Sequence, residues 1–196
     1  MVNGKVLSRA FFARHTLTVA REMIGKYLIR QDGDRLLAGR IIEVEAYRGA
    51  EDKACHASKG RTPRTEVLYG PPGHAYVYLC YGIHEMLNVV TEEAEFPAAV
   101  LVRAVKHQGR LLDGPGRVTR ALVVDRRHNR FDVTEGRDLW FEDRGEPIPQ
   151  DWIRTYPRIG VEYAGDWAMK PWRFRLRDPA AMLEPGRRGS STRSRQ

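Results

Sequence analysis

Two glutamates and a tyrosine alternate along one short stretch of the chain, Arg40-Ile41-Ile42-Glu43-Val44-Glu45-Ala46-Tyr47. Alternate residues of a strand point to opposite faces, so Glu43, Glu45 and Tyr47 share one face and apolar residues share the other. A carboxylate that ends a strand beside an aromatic ring and faces a cavity suits a general base, because the strand mounts it rigidly. The alternative is an edge strand with a solvated polar face, and the stretch by itself favours that alternative.

A second group of residues that could do chemistry is a cluster of tyrosines. Tyr76, Tyr78 and Tyr81 fall within six residues of a predicted strand that turns at Gly82, after which Ile83–Val90 can return as a second strand. Tyr81 is therefore expected at or near a hairpin tip. Such a cluster fits a platform for stacking bases with a wedge at its tip. Ordinary half-buried strand tyrosines are the alternative.

The elements that must position these residues are mostly strands. Asp32-Gly33 is a strong hairpin turn that leads into the glutamate strand. The run Ala98–Val102 is apolar on both faces and predicts a central strand that ends at Arg103, whose side chain could reach the surface or a phosphate. Further predicted elements are a helix beginning at Ser8, a helix over Thr16–Ile24, strands at Tyr27–Arg30 and Leu139–Glu142, an extended Tyr156–Tyr163, and a last strand at Arg173–Leu176.

Length and composition predict one globular domain. The chain has 196 residues, of which 42% are hydrophobic, enough for a substantial core. We find no apolar run of membrane-spanning length and no signal-like segment. Two cysteines, Cys55 and Cys80, are too few for a disulfide framework and lack zinc spacing, which favours a reducing, intracellular environment.

The charge favours a polyanionic partner. The net charge is +8 and the pI is about 9.8, and phosphate contacts dominate nucleic-acid affinity. The segment Arg187–Arg195 holds four arginines and no acid, so it carries half of the excess and predicts disorder. Because no composition break precedes about Glu184, we predict a domain over residues 1–183 and a basic disordered tail over 184–196.

Common cofactor motifs are absent from the sequence. It has no GxGxxG, P-loop, HExxH or CxxC pair, so we expect chemistry by side chains and water without a cofactor or metal. The run Gly114-Pro115-Gly116-Arg117 could begin a helix and hold a phosphate through backbone N–H groups, or could be a plain turn.

Taken together, these residues resemble the alkyladenine (3-methyladenine) DNA glycosylase family of the mammalian type, over roughly Phe11 to Leu176. The order and spacing of the matching blocks are more specific than any one of them. The blocks are Glu43–Tyr47, Ala54–Ala57, Gly60–Arg64, Gly73–Gly82, Leu87–Val89, Val100–Ala104, Gly114–Gly116, Arg158–Gly160 and Ala164–Trp167.

The resemblance implies a single mixed α/β (α+β) domain, with a curved antiparallel sheet, a protruding β-hairpin and flanking helices. It implies that Glu45 activates the water that attacks the sugar C1′. It also implies base contacts by Tyr47, His56, Tyr78, Asn88, Leu101, Ile159 and Gly160, DNA intercalation by Tyr81, and DNA-backbone contacts by Tyr76, Arg103, Gly114, Gly116 and Arg117.

Within this set, the resemblance implies that Tyr47 and Tyr78 sandwich the flipped base and that His56 hydrogen-bonds to the base or its sugar. Asn88 would lie where the exocyclic amine of guanine is screened, and Arg103 would hold a phosphate near the extruded nucleotide. A cationic alkylated purine stacks better on tyrosine rings than a neutral one. Alkylation of ring nitrogens also weakens the glycosidic bond, because the leaving base carries positive charge.

The expected partner is double-stranded DNA containing damaged purines, such as 3-methyladenine, 7-methylguanine, hypoxanthine or ethenoadenine. We expect the protein to act as a monomer and not to bind a membrane. We expect it in the cytoplasm, with the nucleoid if bacterial, or in the nucleus if eukaryotic.

Two other functions remain open at this point. A non-catalytic binder could recognise distorted duplex through the tyrosine hairpin, but it would gain nothing from the Glu45 carboxylate beside a flipped base. A glycosylase-lyase would need a lysine nucleophile, and no lysine lies in a pattern that suggests a depressed pKa. The lysines in or near the motifs are Lys53, Lys59, Lys106 and Lys170.

Overall fold

Residues 4–177 are described by the computed structural model and form strands, three α-helices and short 3₁₀ helices. The strands are β1 (Lys5–Val6), β2 (Tyr27–Asp32), β3 (Arg35–Arg48), β4 (Ala75–Cys80), β5 (His84–Val90), β6 (Ala98–His107), β7 (Arg110–Asp113), β8 (Leu139–Asp143), β9 (Ile153–Tyr156) and β10 (Arg173–Leu176). The α-helices are α1 (Arg9–Phe12), α2 (Thr16–Met23) and α3 (Pro115–Ala121). The 3₁₀ helices are His56–Lys59, Glu66–Tyr69, Arg126–His128, Gln150–Trp152 and Glu162–Met169.

The described strands form one antiparallel sheet centred on β3. Its main order is β1-β8-β2-β3-β6-β5-β4, with β10 beside β3, β9 beside β10, and β7 beside β6. Strand β3 pairs with β2 over its first half, with β10 over its second half, and with β6 along its other side. The expected single α+β domain with an antiparallel sheet is confirmed.

The edge-strand alternative for the glutamate stretch is wrong. Both long sides of β3 are paired, and residues 41–46 are all buried. Ile42, Val44 and Ala46 belong to the main hydrophobic core, as their alternation predicts, and they pack with α2 residues such as Val19 and Met23. The polar face of β3 is therefore covered by protein rather than by bulk solvent.

Two predicted boundaries need correction. Strand β6 continues through Arg103 to His107, because it keeps pairing with the first half of β3 and with β7. The segment Tyr156–Tyr163 is not a continuous strand, since β9 ends at Tyr156 and a 3₁₀ helix begins at Glu162. Arg103 can lie inside strand β6, despite its charge, because Glu43 on the neighbouring strand β3 pairs with it.

Close packing between β3 and α3 depends on one small residue. A Cβ atom at Gly39 would lie 2.9 Å from a methyl group of Val105 and 3.2 Å from one of Leu122. Leu122, which follows α3, is fully buried in the core. Any larger residue at this point would push α3 away from the sheet.

Within residues 4–177, no helix combines the length and apolar character needed to cross a membrane. Over the same range, no group of three or more His, Cys, Asp or Glu side chains is arranged to hold a metal ion. Cys55 and Cys80 are free thiols, the first buried and the second partly exposed. The predicted tail over 184–196 lies outside the described residues.

Candidate active site

The sheet register places several of the predicted residues in one row. Asn88 pairs with Tyr76 on one side and with Leu101 on the other, and Leu101 pairs in turn with Glu45. Directly paired residues project from the same face of a sheet. The row therefore brings together residues that are up to 56 positions apart, counted from Glu45 to Leu101.

A cavity of about 490 Å³ opens on this face of the sheet. Its wall includes ten of the residues that the sequence predicted, drawn from four strands, one 3₁₀ helix, one loop and the hairpin tip. They are Tyr47, His56, Tyr76, Tyr78, Tyr81, Asn88, Leu101, Arg103, Ile159 and Gly160. The rest of the wall consists of Ala54, Cys55, Arg64, Leu68, Leu79, Cys80, Met86, Ala99, Pro115, Val161 and Tyr163.

Glu45 lies directly behind this wall and is fully buried, with 0% of its surface exposed. Its Oε1 accepts a hydrogen bond from the backbone N–H of Ile159 at 2.8 Å, and its Oε2 accepts one from the Tyr47 hydroxyl at 2.8 Å. Burial raises the pKa of Glu45, and the nearby Arg103 guanidinium opposes this rise. Each carboxylate oxygen keeps a second lone pair, so the group can still accept a proton from water.

Glu43 lies on the same face of β3 but is surrounded by guanidinium groups. Its Oε1 is 3.3 Å from Arg103 Nε and 3.1 Å from Arg173 Nη1, and its Oε2 pairs with Arg175. Arg103 Nε also lies 3.5 Å from Glu45 Oε1. This carboxylate is fully engaged as a counter-ion, unlike that of Glu45.

A buried ion pair between Arg158 and Asp52 connects the segments that carry the site residues. The guanidinium binds the carboxylate with two contacts of 2.5 and 2.8 Å and donates to the carbonyls of Ala46 and Trp167, both at 3.0 Å. Its Cζ lies 4.8 Å from the centre of the Tyr47 ring. The pair thus joins β3 to the segment that carries the Ile159 N–H. The sequence does not predict this ion pair; Arg158 belongs only to the matching block Arg158–Gly160.

His56 and two tyrosines form the aromatic part of the wall. The His56 ring lies 4.6 Å from Tyr78 and 6.0 Å from Tyr76, both edge to face, and Tyr76 lies 5.1 Å from Tyr78. His56 Nδ1 is 2.8 Å from the Tyr76 hydroxyl. Burial, together with Arg64 and Lys59, lowers the pKa of His56 to about 4, so the ring is neutral at neutral pH.

Tyr76 lies in the cavity wall, and its contact with the DNA backbone stays a prediction. Only 3% of it is exposed, and its hydroxyl lies 2.8 Å from His56 Nδ1. Burial raises the pKa of this hydroxyl. Tyr76 therefore belongs to the inner wall of the cavity, because it lies in the same register row as Asn88.

Tyr81 is at the hairpin tip, as the sequence predicted. It is 89% exposed, and the Ile83 N–H donates to the Cys80 carbonyl across the turn at 3.2 Å. Tyr81 and Gly82 both have positive φ, 50° and 73°, in the three-residue loop between Cys80 and His84. A non-glycine residue in this conformation is strained by about 1–2 kcal/mol. A strained and exposed tyrosine is typical of a functional position.

Two other wall residues have geometry that suits a base pocket. Asn88 is buried, and its Nδ2 donates to the Tyr76 carbonyl at 3.1 Å, which fixes the side chain between β4 and β5. Gly160 has φ of 75°, and nothing lies within 4 Å of the place where a Cβ would stand. Ile159 beside it is half exposed. The main chain at these two residues can therefore approach a ligand closely.

The glycine-rich start of α3 is explained mainly by packing. A Cβ at Gly116 would lie 2.8 Å from His84 Nδ1, so only glycine allows α3 to approach β5. The Gly114 N–H donates to the Arg103 carbonyl at 3.0 Å. Arg117 is exposed and bonds to the Asp113 carbonyl. These three predicted residues lie outside the cavity wall, although Pro115 belongs to it.

Sequence reasoning missed several wall residues. Arg64 belongs to a matching block, but the sequence predicts no role for it, and the sequence predicts an extended segment at Tyr163. Tyr163 is 70% exposed at the cavity rim, on the 3₁₀ helix Glu162–Met169, of which the sequence predicts only a short turn or helix at Asp166–Ala168. The four candidate lysines are all described, and the cavity wall contains none of them.

Comparison with known proteins identifies the family. The family model for Methylpurine-DNA glycosylase matches residues 10–180, which is most of the chain. The chain belongs to this family. It follows that the protein is a DNA glycosylase, a hydrolase whose substrate is DNA.

Relatives of this methylpurine-DNA glycosylase agree with the assignment. The chain is 47% identical over 188 residues to a protein of Anaeromyxobacter dehalogenans (strain 2CP-C), covering 91% of this chain and 87% of that protein. It is 47% identical over 190 residues to a protein of Myxococcus xanthus (strain DK1622), covering 93% and 97%. A protein of Methanocella arvoryzae is 45% identical over 185 residues, covering 86% and 91%. All three carry the provisional name 3-methyladenine DNA glycosylase.

Membership in the methylpurine-DNA glycosylase family confirms the resemblance found in the sequence. It also decides between enzyme and non-catalytic binder in favour of the enzyme. The roles of individual residues stay predictions, since the family assignment does not test them.

Proposed function

We propose that this glycosylase flips alkylated or deaminated purines out of duplex DNA and hydrolyses their N-glycosidic bond with a water activated by Glu45. The product is an abasic site. The candidate substrates are 3-methyladenine, 7-methylguanine, hypoxanthine and ethenoadenine. An enzyme that acts on a base inside a duplex must extrude it, so it needs a pocket for the base and a group that replaces it in the stack.

The Glu45 carboxylate is the observation that carries this proposal. It is buried beside an aromatic cavity, and its two oxygens are oriented by the Ile159 N–H and the Tyr47 hydroxyl. A general base needs a fixed position and a pKa nearer the working pH than that of a free carboxylate. Burial moves the pKa of Glu45 in that direction.

We assign the flipped base to the space beside Tyr47 and Tyr78, with His56 as a hydrogen-bonding partner. The His56 ring is neutral at neutral pH, so one ring nitrogen donates and the other accepts. Asn88 would screen the exocyclic amine of guanine from the floor of the cavity. Leu101, Ile159 and Gly160 would complete the base contacts.

The hairpin tip is proposed to enter the DNA. Tyr81 would fill the gap left by the flipped nucleotide, since its ring is exposed at the rim of the cavity. Arg103 would meet a phosphate near the extruded nucleotide, although its side chain is only 12% exposed and already pairs with carboxylates. We also propose that Gly114, Gly116 and Arg117 contact the DNA backbone. The partner is duplex DNA with a damaged purine, and we propose that a monomer acts on it.

The test is to incubate the protein with duplexes that each carry one defined lesion and to measure abasic sites by strand cleavage in alkali. We expect abasic sites at one or more of the four candidate purines and none in the undamaged duplex. The absence of abasic sites from every lesion duplex, with the protein folded, would overturn the proposal.

A further inference from the structure

Both tyrosine rings that are proposed to hold the base already interact with a cation. The Arg158 Cζ lies 4.8 Å from the centre of the Tyr47 ring, and the Arg64 Cζ lies 5.0 Å from the centre of the Tyr78 ring. Both distances are within the range of a cation–π interaction, about 6 Å. One face of each ring therefore already meets a positive charge, which weakens the attraction of that ring for a second cation.

The charged side chains in the cavity wall are also positive. Among the described residues of the wall, only Arg64 and Arg103 are charged at neutral pH, because the pKa of His56 is lowered to about 4. The charge of Arg103 is offset by Glu43 and Glu45, whose Oε1 atoms lie 3.3 and 3.5 Å away. Arg64 instead lies over the Tyr78 ring, which carries no charge.

We propose that Arg64 is a specificity-determining residue that disfavours positively charged purines relative to neutral ones. This inference rests on the proposed function and deepens it by naming the favoured substrate class, neutral damaged purines. A cationic base beside Tyr78 would meet the Arg64 charge and compete with it for the ring, whereas a neutral purine would meet neither effect. The expectation that tyrosine rings favour cationic bases is thereby reversed at this ring.

Cationic and neutral purines differ in how readily they leave the sugar, so a preference for neutral purines would act on the slower reaction. A purine alkylated at a ring nitrogen is a good leaving group, because its positive charge is neutralised when the bond breaks. A neutral purine leaves less readily, so it needs more help from binding and from the activated water. Negative charge develops on a neutral purine as it leaves, and the Arg64 guanidinium beside the base would stabilise that charge in the transition state.

The experiment compares release of 7-methylguanine, a cation, with release of hypoxanthine, which is neutral, from otherwise identical duplexes. Single-turnover rates are measured with saturating enzyme for the wild type, Arg64→Gln and Arg64→Lys. We expect Arg64→Gln to raise the 7-methylguanine to hypoxanthine rate ratio about two- to fivefold, the range of an exposed cation–π interaction. Arg64→Lys keeps the charge, so its ratio should stay near that of the wild type.

Arg61→Gln is the matched control. Arg61 is a nearby arginine whose Cζ lies 4.9 Å from the centre of the Tyr69 ring, and neither residue belongs to the cavity wall. The 7-methylguanine to hypoxanthine rate ratio of Arg61→Gln should equal that of the wild type. Because Arg64 is exposed, its variants should fold, and thermal unfolding checks this.

The outcomes separate the inference from the proposed function. An equal loss on both substrates in Arg64→Gln would mean that Arg64 binds a DNA phosphate, and it would overturn the inference alone. A ratio that falls, or that rises equally in Arg61→Gln, would overturn it as well. If the wild type releases neither base, the proposed function itself fails.

Discussion

Glu45 and Glu43 lie two residues apart on one face of β3, and their partners give them different chemistry. Three arginines surround Glu43, whereas Glu45 accepts hydrogen bonds from a backbone N–H and a tyrosine hydroxyl. The guanidinium groups occupy both oxygens of the Glu43 carboxylate and leave it little room to bind a water. Glu45 has fewer such partners, and its pKa is raised, so it is the better candidate for the general base.

Glu45→Gln is expected to abolish base release and to spare DNA binding. The amide keeps the shape of the side chain but cannot take a proton from water, and loss of a positioned general base lowers a rate about 10²–10⁴-fold. Single-turnover release from a duplex with one hypoxanthine or ethenoadenine measures the effect, together with affinity for an abasic analogue. Near-normal release would show that the wrong carboxylate has been chosen. If Glu45→Gln also loses DNA binding, Glu45 organises the pocket, and its role as general base is unproven.

Glu43→Gln is the matched carboxylate control for this prediction. It should impair release much less than Glu45→Gln, but it should destabilise the fold by about 1–3 kcal/mol, because it leaves partly buried guanidinium groups without their counter-ion. Release must therefore be measured at a temperature where thermal unfolding shows both variants to be native. A larger release defect in folded Glu43→Gln than in Glu45→Gln would contradict the assignment.

The pH dependence of base release should show a single acidic limb. Glu45 must be deprotonated to act as a base, so release should rise with pH, and burial should place the midpoint above the pKa of a free glutamate. His56 titrates at about 4 and stays neutral above that value, so it adds no limb near neutral pH. Single-turnover release of hypoxanthine from about pH 4 to about pH 8 tests this. A midpoint at or below that of free glutamate would contradict the burial argument.

At the scale of elements, the β4–β5 hairpin combines a fixed base with an exposed tip. Tyr76 and Asn88 are buried where the two strands join the sheet, whereas Tyr81 and Ile83 at the other end are 89% and 70% exposed. Exposed apolar side chains on a rigid, strained turn are suited to insertion between base pairs. The hairpin therefore links the pocket to the place where the DNA would be opened.

Tyr81→Ala is expected to weaken binding to lesion duplexes while leaving the fold intact. Stacking of a base on an aromatic side chain contributes about 1–3 kcal/mol, so the affinity loss should be of that order. Tyr81→Phe keeps the ring and should behave like the wild type. Affinity for a duplex with an abasic analogue, compared with undamaged duplex, provides the measurement, and thermal unfolding monitors stability. Unchanged binding and release in Tyr81→Ala would refute the wedge.

At the scale of the whole molecule, the net charge of +8 overstates the positive charge that is free to meet DNA. Many arginines are paired with carboxylates on the surface, such as Arg35 with Asp32 and Arg127 with Asp125. Exposed ion pairs contribute little to stability, but they reduce the local positive potential. Binding to DNA should therefore depend on a smaller set of cations than the composition suggests.

Affinity for undamaged duplex should fall with salt, giving a clear negative slope of log affinity against log salt concentration. Each phosphate neutralised by a lysine or arginine releases counter-ions, and the slope reports their number. A chain trimmed after Glu184 tests whether the basic tail supplies the slope, since four arginines lie beyond that residue. A flat slope for the full chain would remove the electrostatic argument for DNA steering.

Local sequence patterns were enough to predict most elements and the type of chemistry. The alternation around Glu45 predicts a strand with a carboxylate face, and Asp32-Gly33 and Gly82 predict the turns of two hairpins that the structure contains. Residue types at these positions fix backbone preferences over a few residues, so they can be recognised without a fold. The spacing of the matching blocks then identified the family, which the comparisons confirm.

The tertiary structure decided which polar residues meet. Pairing of Asn88 with Leu101, and of Leu101 with Glu45, depends on a register between strands far apart in sequence, and no local pattern encodes it. The ion pair of Arg158 with Asp52 and the contact of Arg64 with Tyr78 likewise join segments that are separate in the chain. The burial of Glu45, which raises its pKa, likewise depends on distant segments that lie beside β3, among them β6, β10 and the Ile159 loop. Hydrogen-bond register and desolvation are properties of the assembled sheet, because each depends on which distant strands lie alongside.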